Sequence, residues 1–224
     1  MARELEHPFT LVFALTSLSW IYSTTRDAQR TLQLTDEAVA VSTKHSFELG
    51  LSWATVLQGW ALAEQGRAEG LGKLTQGLSA VAATGASLNN TFTLALLAEI
   101  YLRHNRIDEG LGAIEDAQKL ATTWGELFWQ AELFRLKGEL LLRESDQSVH
   151  AAEQCLSDAL KIAQDQHATM LELRAATSLA RLWKTRSKVD EARRILNAVC
   201  AKFHEGVNNF DLKEARTVLA QLRV

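Results

Sequence analysis

The tetrapeptide Glu69-Gly70-Leu71-Gly72 recurs further along the chain as Glu109-Gly110-Leu111-Gly112. Looser copies follow, and the small residue in each serves as a marker: Gly70, Gly110, Ala152 and Ala192. The markers are separated by 110 - 70 = 40, 152 - 110 = 42 and 192 - 152 = 40 residues, and a degenerate fifth copy has Ala28 as its marker. Such regular spacing is typical of a repeat protein, in which each unit buries its apolar face against its neighbours.

The composition favours helices in every unit. Of the 224 residues 47% are hydrophobic, which is enough for a sizeable core, and the one proline is Pro8. Residues that favour helices are frequent, whereas β-branched residues do not form alternating runs. Each unit is predicted to hold two antiparallel helices around a short polar turn, for example 94–103 and 107–121 around 104–106. Small marker residues let the two backbones approach closely, although glycine inside a helix costs about 1 kcal/mol.

We therefore predict one all-α domain, residues 1–224, folded as a right-handed α-solenoid of stacked antiparallel helix pairs. Its predicted units are 7–45, 46–85, 87–123, 127–166 and 169–205, followed by a capping helix at 209–223 whose start is marked by Asn208-Asn209. The polar stretch 143–148 predicts an enlarged loop in the fourth unit. The opening helix is apolar nearly all round, which favours packing against further repeats.

Several function classes receive no support from the sequence. A formal charge of -3, from 24 basic and 27 acidic side chains, gives no field that would recruit nucleic acid or anionic lipid. No apolar stretch reaches the roughly 20 residues that cross a bilayer, and the acidic, polar start is unlike a signal peptide, so we expect a cytoplasmic protein. Neither a phosphate-binding loop nor a nucleophile motif occurs, and no histidine has metal-ligand spacing, so we expect no enzyme, no cofactor and no metal.

The unit around the second tetrapeptide has Leu97-Ala98 and Tyr101 on its predicted first helix, and Gly110, Ile114 and Ala117 on its second. In these positions it resembles the tetratricopeptide repeat. The units here are longer than the usual repeat of about 34 residues.

Units of about 40 residues are similar to the variant in the C-terminal regions of bacterial signal-transduction ATPases, including ATPase-linked adenylate or guanylate cyclases and transcriptional regulators. The segments 59–66, 136–142 and 173–183 carry this similarity, which extends over nearly the whole chain. The resemblance implies a regulatory or docking module, linked covalently or non-covalently to an ATPase, cyclase or output domain.

The inner surface of the predicted solenoid is the candidate binding site. In the tetratricopeptide register, the first helices would present Thr55, Phe92, Glu99, Arg103, Arg135, Glu139, Arg174, Thr177, Arg181 and Lys184. Basic side chains gather toward the C-terminal half, and arginine and lysine suit acidic peptides or carboxylates. This pattern predicts a protein or peptide partner with acidic groups. A solvated polar face without a specific ligand accounts for the same residues equally well.

Two further hypotheses stay open from the sequence. A small effector could enter a pocket between repeats and change the pitch of the solenoid, or the exposed end repeats could serve assembly. Trp124 and Trp129 flank Gly125 at a unit boundary and are expected to be partly exposed, where tryptophan often contributes to binding. Cys155 and Cys200 are predicted to be buried inside helices.

Overall fold

The computed structural model describes residues 7–86, 88–203 and 209–222, and these ranges contain eleven α-helices and no strand. The helices are α1 Pro8–Thr24, α2 Ala28–His45, α3 Glu48–Glu64, α4 Glu69–Ala83, α5 Asn90–Arg103, α6 Ile107–Trp124, α7 Gln130–Glu144, α8 Val149–Asp165, α9 Thr169–Thr185, α10 Val189–Cys200 and α11 Phe210–Gln221. Single 3-10 turns at Leu127–Trp129 and Asp146–Ser148 precede α7 and α8.

The predicted all-α class is confirmed by these helices. The side chain of Asn209 accepts a hydrogen bond from the Leu212 backbone N–H at 2.9 Å and so caps α11, as the sequence predicts. Residues 1–6, 87, 204–208, 223 and 224, which the predicted domain boundaries and cap include, lie outside the described ranges. The helices form two compact units, Met1–Ile100 and Tyr101–Val224, and the organisation as a single repeat domain stays a prediction.

In the first unit, close helix contacts depend on glycine. Helix α3 packs against α1, α2 and α4. A Cβ atom at Gly70 would overlap the Ala63 backbone, one at Gly59 would overlap the Leu74 backbone, and one at Gly77 would lie 2.6 Å from the Val56 backbone nitrogen. Helices α3 and α4 therefore pack backbone to backbone, which explains the glycine at the Gly70 marker. A Cβ atom at the Gly110 marker would instead lie 2.6 Å from the Leu140 side chain of α7.

Helix α1 buries small hydroxyl residues beside Val12 and Leu15, and it exposes several large apolar side chains. Thr16 and Ser19 are buried, and their hydroxyl groups donate to the backbone carbonyls of Val12 and Leu15. Phe13 is 61% exposed, and Phe9, Leu18 and Ile21 are exposed by 59%, 43% and 53%. The exposed side chains give α1 an apolar surface.

In the second unit, α7 pairs with α8 and α9 pairs with α10, while α7, α9 and α11 pack side by side. The core beneath α11 combines Leu173 from α9, Leu196 from α10, and Leu212 and Leu219 from α11, all buried. A cap that contributes its own leucines in this way completes the apolar faces of the last helix pair.

The predicted enlarged loop at 143–148 is wrong. Arg143 and Glu144 belong to the last turn of α7, and Asp146–Ser148 form a single 3-10 turn that leads directly into α8. The Ser148 hydroxyl donates to a Glu144 carboxylate oxygen at 2.7 Å and lies 3.0 Å from the Ser145 hydroxyl. These local hydrogen bonds close a compact turn, because short polar side chains can replace the missing backbone partners at helix ends.

Candidate functional site

An apolar pocket of about 240 Å³ lies within the first unit, where α1, α3 and the start of α5 face one another. It is lined by Phe13, Thr16, Ser17, Trp20, Trp53, Val56, Leu57, Leu88, Asn89, Phe92 and Thr93. The Trp20 and Phe92 rings meet edge to face with centroids 5.7 Å apart, and Phe13 and Leu88 at the rim are each 61% exposed. The pocket therefore has an ordered aromatic wall and an accessible apolar rim.

The pocket is uncharged. None of its described lining residues is ionisable, and the sequence from 49 to 63, which contains most of α3, has no Asp, Glu, Lys, Arg or His. The hydroxyl groups of Thr16 and Thr93 donate to backbone carbonyls one turn earlier, so their protons are not available to a ligand. A site of this kind favours an apolar, neutral group and disfavours a charged one, which would lose its hydration without a compensating partner.

An ion pair fixes α5 beside this pocket. Arg26, in the turn between α1 and α2, places its guanidinium 2.5 Å from the Glu99 carboxylate, and both side chains are 11% exposed. The φ angle of Arg26 is 59°, a left-handed conformation that is unusual for a residue with a side chain. Because breaking a buried ion pair is strongly destabilising, this pair restrains α5 against the α1–α2 turn.

Among the sequence-predicted binding residues near this unit, Phe92 joins the pocket wall and is 1% exposed. Thr55 is half-buried and its hydroxyl donates to the Leu51 carbonyl, while Glu99 is occupied by Arg26. Arg103 is exposed at the end of α5. The structure therefore brings one predicted residue, Phe92, into a ligand-sized cavity.

The basic side chains predicted in the C-terminal half contact the capping helix. The Arg174 guanidinium donates to the Asp211 carboxylate at 2.9 Å, and Arg181 donates to Glu214 at 2.7 Å. The Lys184 ammonium donates to the Gln221 side-chain oxygen at 3.2 Å. Two acidic side chains of the same chain, Asp211 and Glu214 on α11, thus lie where the sequence-based prediction placed an acidic partner.

The remaining predicted residues lie on α7 and α9. Arg135 donates two hydrogen bonds to Glu132, at 2.8 and 2.9 Å, and lies 3.9 Å from half-buried Glu139. Arg174 also lies 3.5 Å from Glu132, which joins α7, α9 and α11 through one chain of buried charges. Thr177 is buried, and its hydroxyl donates to the Leu173 carbonyl. As protein-binding residues all of these stay a prediction.

The aromatic and sulfur side chains differ in part from expectation. Trp124 is 62% exposed, as predicted, whereas Trp129 is 9% exposed because the 3-10 turn before α7 directs it inward, so the expected exposure of Trp129 is wrong. Cys155 and Cys200 are half-buried instead of fully buried, and burial raises the pKa of both thiols. A raised pKa lowers the thiolate fraction and makes these thiols poor nucleophiles.

One carboxylate is tuned by its neighbours in the second unit. Glu153 accepts hydrogen bonds from the Lys188 ammonium at 2.7 Å and from the Trp183 indole N–H at 2.6 Å. The Lys188 hydrogen bond, followed by that from Trp183, lowers the pKa of Glu153. The group links α8 to α9 and α10 and therefore has a structural explanation. Within the described ranges, no group of three His, Cys, Asp or Glu residues could hold a metal ion.

No described helix combines the length and apolarity that a membrane span requires.

Comparison with known proteins identifies the fold. No family model matches the chain, and no curated protein sequence matches it. Crystal structures of the nearly identical TPR-like repeats of a protein described as a kinesin light chain from Podosopora anserina are similar. A variant of it has a TM-score of 0.59 at 18% identity, over 88% of this chain and 95% of that one. A second structure has a TM-score of 0.55 at 19% identity, over 96% and 98% of the two chains.

Yeast Tom70 is also similar, with a TM-score of 0.57 at 13% identity over 94% of this chain. The match covers 40% of the Tom70 chain, so this chain spans less than half of it. Similarity at these identities shows the fold, and the predicted tetratricopeptide-like helical repeat is confirmed. The relation to ATPase-linked regulators stays a prediction.

Proposed function

We propose that this chain is a non-enzymatic module that binds a protein or peptide segment, and that the pocket between α1, α3 and α5 receives an apolar anchor side chain of that segment. The observation that carries the proposal is the aromatic, uncharged cavity whose rim residues Phe13 and Leu88 are exposed. Binding energy in such interfaces is concentrated in a few large side chains that fill pockets. An apolar anchor fits the walls of this site, whereas an acidic one does not.

Arg174, Arg181 and Lys184, which we call the basic stripe, support a binding site less well than the pocket does. Arg174 is 8% exposed and its charge is directed to Asp211, so an incoming acidic segment would have to displace α11 to reach it. Arg181 and Lys184 are exposed, but their head groups also contact α11. The sequence-based hypothesis of an acidic partner therefore becomes the competing outcome in the test.

Selection of peptides from a random displayed library against the native chain tests the proposal. Recovered peptides should share a large apolar residue, and Phe13→Gln should weaken their binding at least tenfold, because it replaces an exposed apolar wall with an amide. Leu18→Gln is the matched control, since Leu18 is 43% exposed on the same helix but does not line the pocket. The proposal would be contradicted if the recovered peptides were acidic, bound Phe13→Gln as well as the native chain and lost affinity when Arg181 was replaced. That result would identify the basic stripe as the binding site.

A free small-molecule effector is the second candidate function, because the same pocket lies between three successive first helices. A cavity of roughly 150 Å³ holds benzene, so by proportion this one holds about ten non-hydrogen atoms. A melting-temperature screen with neutral aromatic metabolites separates the two functions. A shift of several degrees with one compound, lost in Phe13→Gln and without peptide binding, would favour the effector.

The wider context that we propose is a cytoplasmic regulatory region of a bacterial signalling ATPase, cyclase or transcriptional regulator. Its support is the sequence resemblance carried by 59–66, 136–142 and 173–183. The genomic reading frame and its neighbours test this context directly. An ATPase or cyclase domain encoded with this chain would support it, and a frame without such a domain in it or beside it would count against it.

A further inference from the structure

The second unit carries an exposed apolar cluster that is distinct from the pocket. Trp124 is 62% exposed, Leu127 48% and Phe128 42%, and all three lie within five residues at the junction of α6 and α7. We name Trp124, Leu127 and Phe128 the aromatic knob. Large apolar side chains exposed together in this way mark interaction sites more often than single exposed residues do.

The knob is held in a defined conformation. Gly125, with φ of 71°, ends α6 in the left-handed conformation, and the Leu127 N–H donates to its carbonyl at 2.9 Å. The Gln166 side chain donates to the Leu127 carbonyl at 2.8 Å and ties the turn to the end of α8. Trp129, which directly follows Phe128, is buried and holds this end of the knob in place. Because the backbone is fixed, exposure of the knob does not result from a loose loop.

The knob matches the pocket of the first unit in size and in charge. About ten non-hydrogen atoms fill the pocket, and a tryptophan side chain has about that size. The described pocket lining has no ionisable group, and the three knob side chains are neutral, so neither surface would have to strip water from a charge.

We propose that the aromatic knob of one copy of this chain inserts Trp124 into the α1/α3/α5 pocket of a second copy. This inference rests on the proposed function, since it requires that the pocket accept an apolar anchor, and it names that anchor. The two surfaces differ, so the contact is of the heterologous kind. The three knob side chains expose roughly 300 Å² of surface, well below the roughly 800 Å² per partner of a stable interface, so the association is weak.

Sedimentation equilibrium on the native chain tests the proposal at concentrations from about 10 μM to about 1 mM, the range in which a small interface assembles. The mean mass should rise with concentration. Trp124→Gln, which removes the knob, and Phe13→Gln, which alters the pocket, should each keep the chain monomeric throughout. Ile21→Gln is the control, because Ile21 is 53% exposed on α1 outside the pocket, and its mass should rise as in the native chain.

Mixing the two inactive variants gives the decisive measurement. Trp124→Gln retains an intact pocket and Phe13→Gln retains an intact knob, so an equimolar mixture should regain association that neither variant shows alone. Circular dichroism of each variant checks that the helical content is native. A monomeric native chain at 1 mM, unchanged association in either variant, or a mixture that stays monomeric would overturn the proposal.

A fluorine NMR titration with 5-fluoroindole separates this inference from the proposed function. Line broadening with the native chain that is absent with Phe13→Gln shows that the pocket accepts an apolar anchor. If the probe binds and the chain stays monomeric, the self-association is refuted and the peptide-binding proposal stands. If the probe does not bind and Trp124→Gln associates like the native chain, the pocket is refuted as the site both of peptide binding and of self-association.

Discussion

A methyl group added at Gly70 or at Gly72 should change the stability of the chain in opposite directions, although the two residues belong to one tetrapeptide and one helix. Gly70 is buried, and a Cβ atom there would overlap the Ala63 backbone, with its Cα only 2.7 Å away. Gly72 is exposed, and its Cβ would meet nothing within 4 Å. The comparison therefore isolates the close approach of α3 and α4 from the helix preference of alanine.

The magnitudes follow from two opposing terms. Alanine in place of a helical glycine gains about 0.5 to 1 kcal/mol, and Gly72→Ala should show this gain alone. At Gly70, α3 and α4 must separate by roughly 1 Å to restore ordinary contact, and such overpacking costs about 1 to 3 kcal/mol. The atoms in the way belong largely to backbone and cannot rotate aside, so the upper end applies. Gly70→Ala should lose about 2 kcal/mol net.

Urea unfolding followed by circular dichroism at 222 nm measures both variants against the native chain, with the slope checked for a constant unfolding surface. The expected order of midpoints is Gly72→Ala highest, the native chain next and Gly70→Ala lowest. A Gly70→Ala variant as stable as Gly72→Ala would refute the backbone contact between α3 and α4. Equal destabilisation of both variants would refute the helical placement of Gly72.

Three further predictions concern the second unit. Arg174→Gln should lose about 3 kcal/mol of unfolding free energy, because it removes the cation that contacts the buried Asp211 carboxylate. Arg181→Gln should lose at most about 1 kcal/mol, because the Arg181 and Glu214 side chains are 44% and 35% exposed, and equal falls in the urea midpoints of the two variants would contradict this. Because the folded pKa of Glu153 is lowered, its stabilising contribution is present above the ordinary value of 4.5 and is lost as pH falls through the folded pKa. The melting temperatures of the native chain and of Glu153→Gln should therefore differ at pH 7 and converge as the pH is lowered, and a difference that grows in acid would be inconsistent. Because burial raises its pKa, Cys155 in the folded chain should react with iodoacetamide at pH 8 more slowly than glutathione does. In urea the two thiols should react at comparable rates. Equal rates with the folded chain would show that burial does not protect the Cys155 thiol.

The helices themselves were accessible from sequence because their signals are local. The apolar spacing of Leu97 and Tyr101, the marker Gly110 and the cap at Asn209 each act within one or two helical turns. The enlarged loop at 143–148 failed for a related reason, since a polar stretch does not reveal that Ser145 and Ser148 can close a single turn through their side chains. Helix spacing therefore predicted the elements better than it predicted the connections.

The candidate site was predicted only in part. Phe92 was expected on the inner surface and does line the pocket, but Phe13, Trp20 and Trp53 were not singled out as its partners. An available signal was the absence of any Asp, Glu, Lys, Arg or His over 49–63, which is unusual for a surface helix. In the structure, Arg174 and Arg181 contact the Asp211 and Glu214 carboxylates of α11, and their role in protein binding stays a prediction.

The amino-acid sequence by itself determined that the chain forms repeated helix pairs, because a 3.6-residue apolar period and small residues every forty-odd positions act through neighbours along the chain. The pairing of charged side chains, in contrast, depends on the tertiary packing of the helices. Arg174 and Asp211 are 37 residues apart, and the pocket joins residues from Phe13 to Thr93, so each depends on how separate helices cross. The angle at which two helices cross depends on how their side-chain surfaces fit together, and the spacing of apolar residues along one helix does not specify that fit.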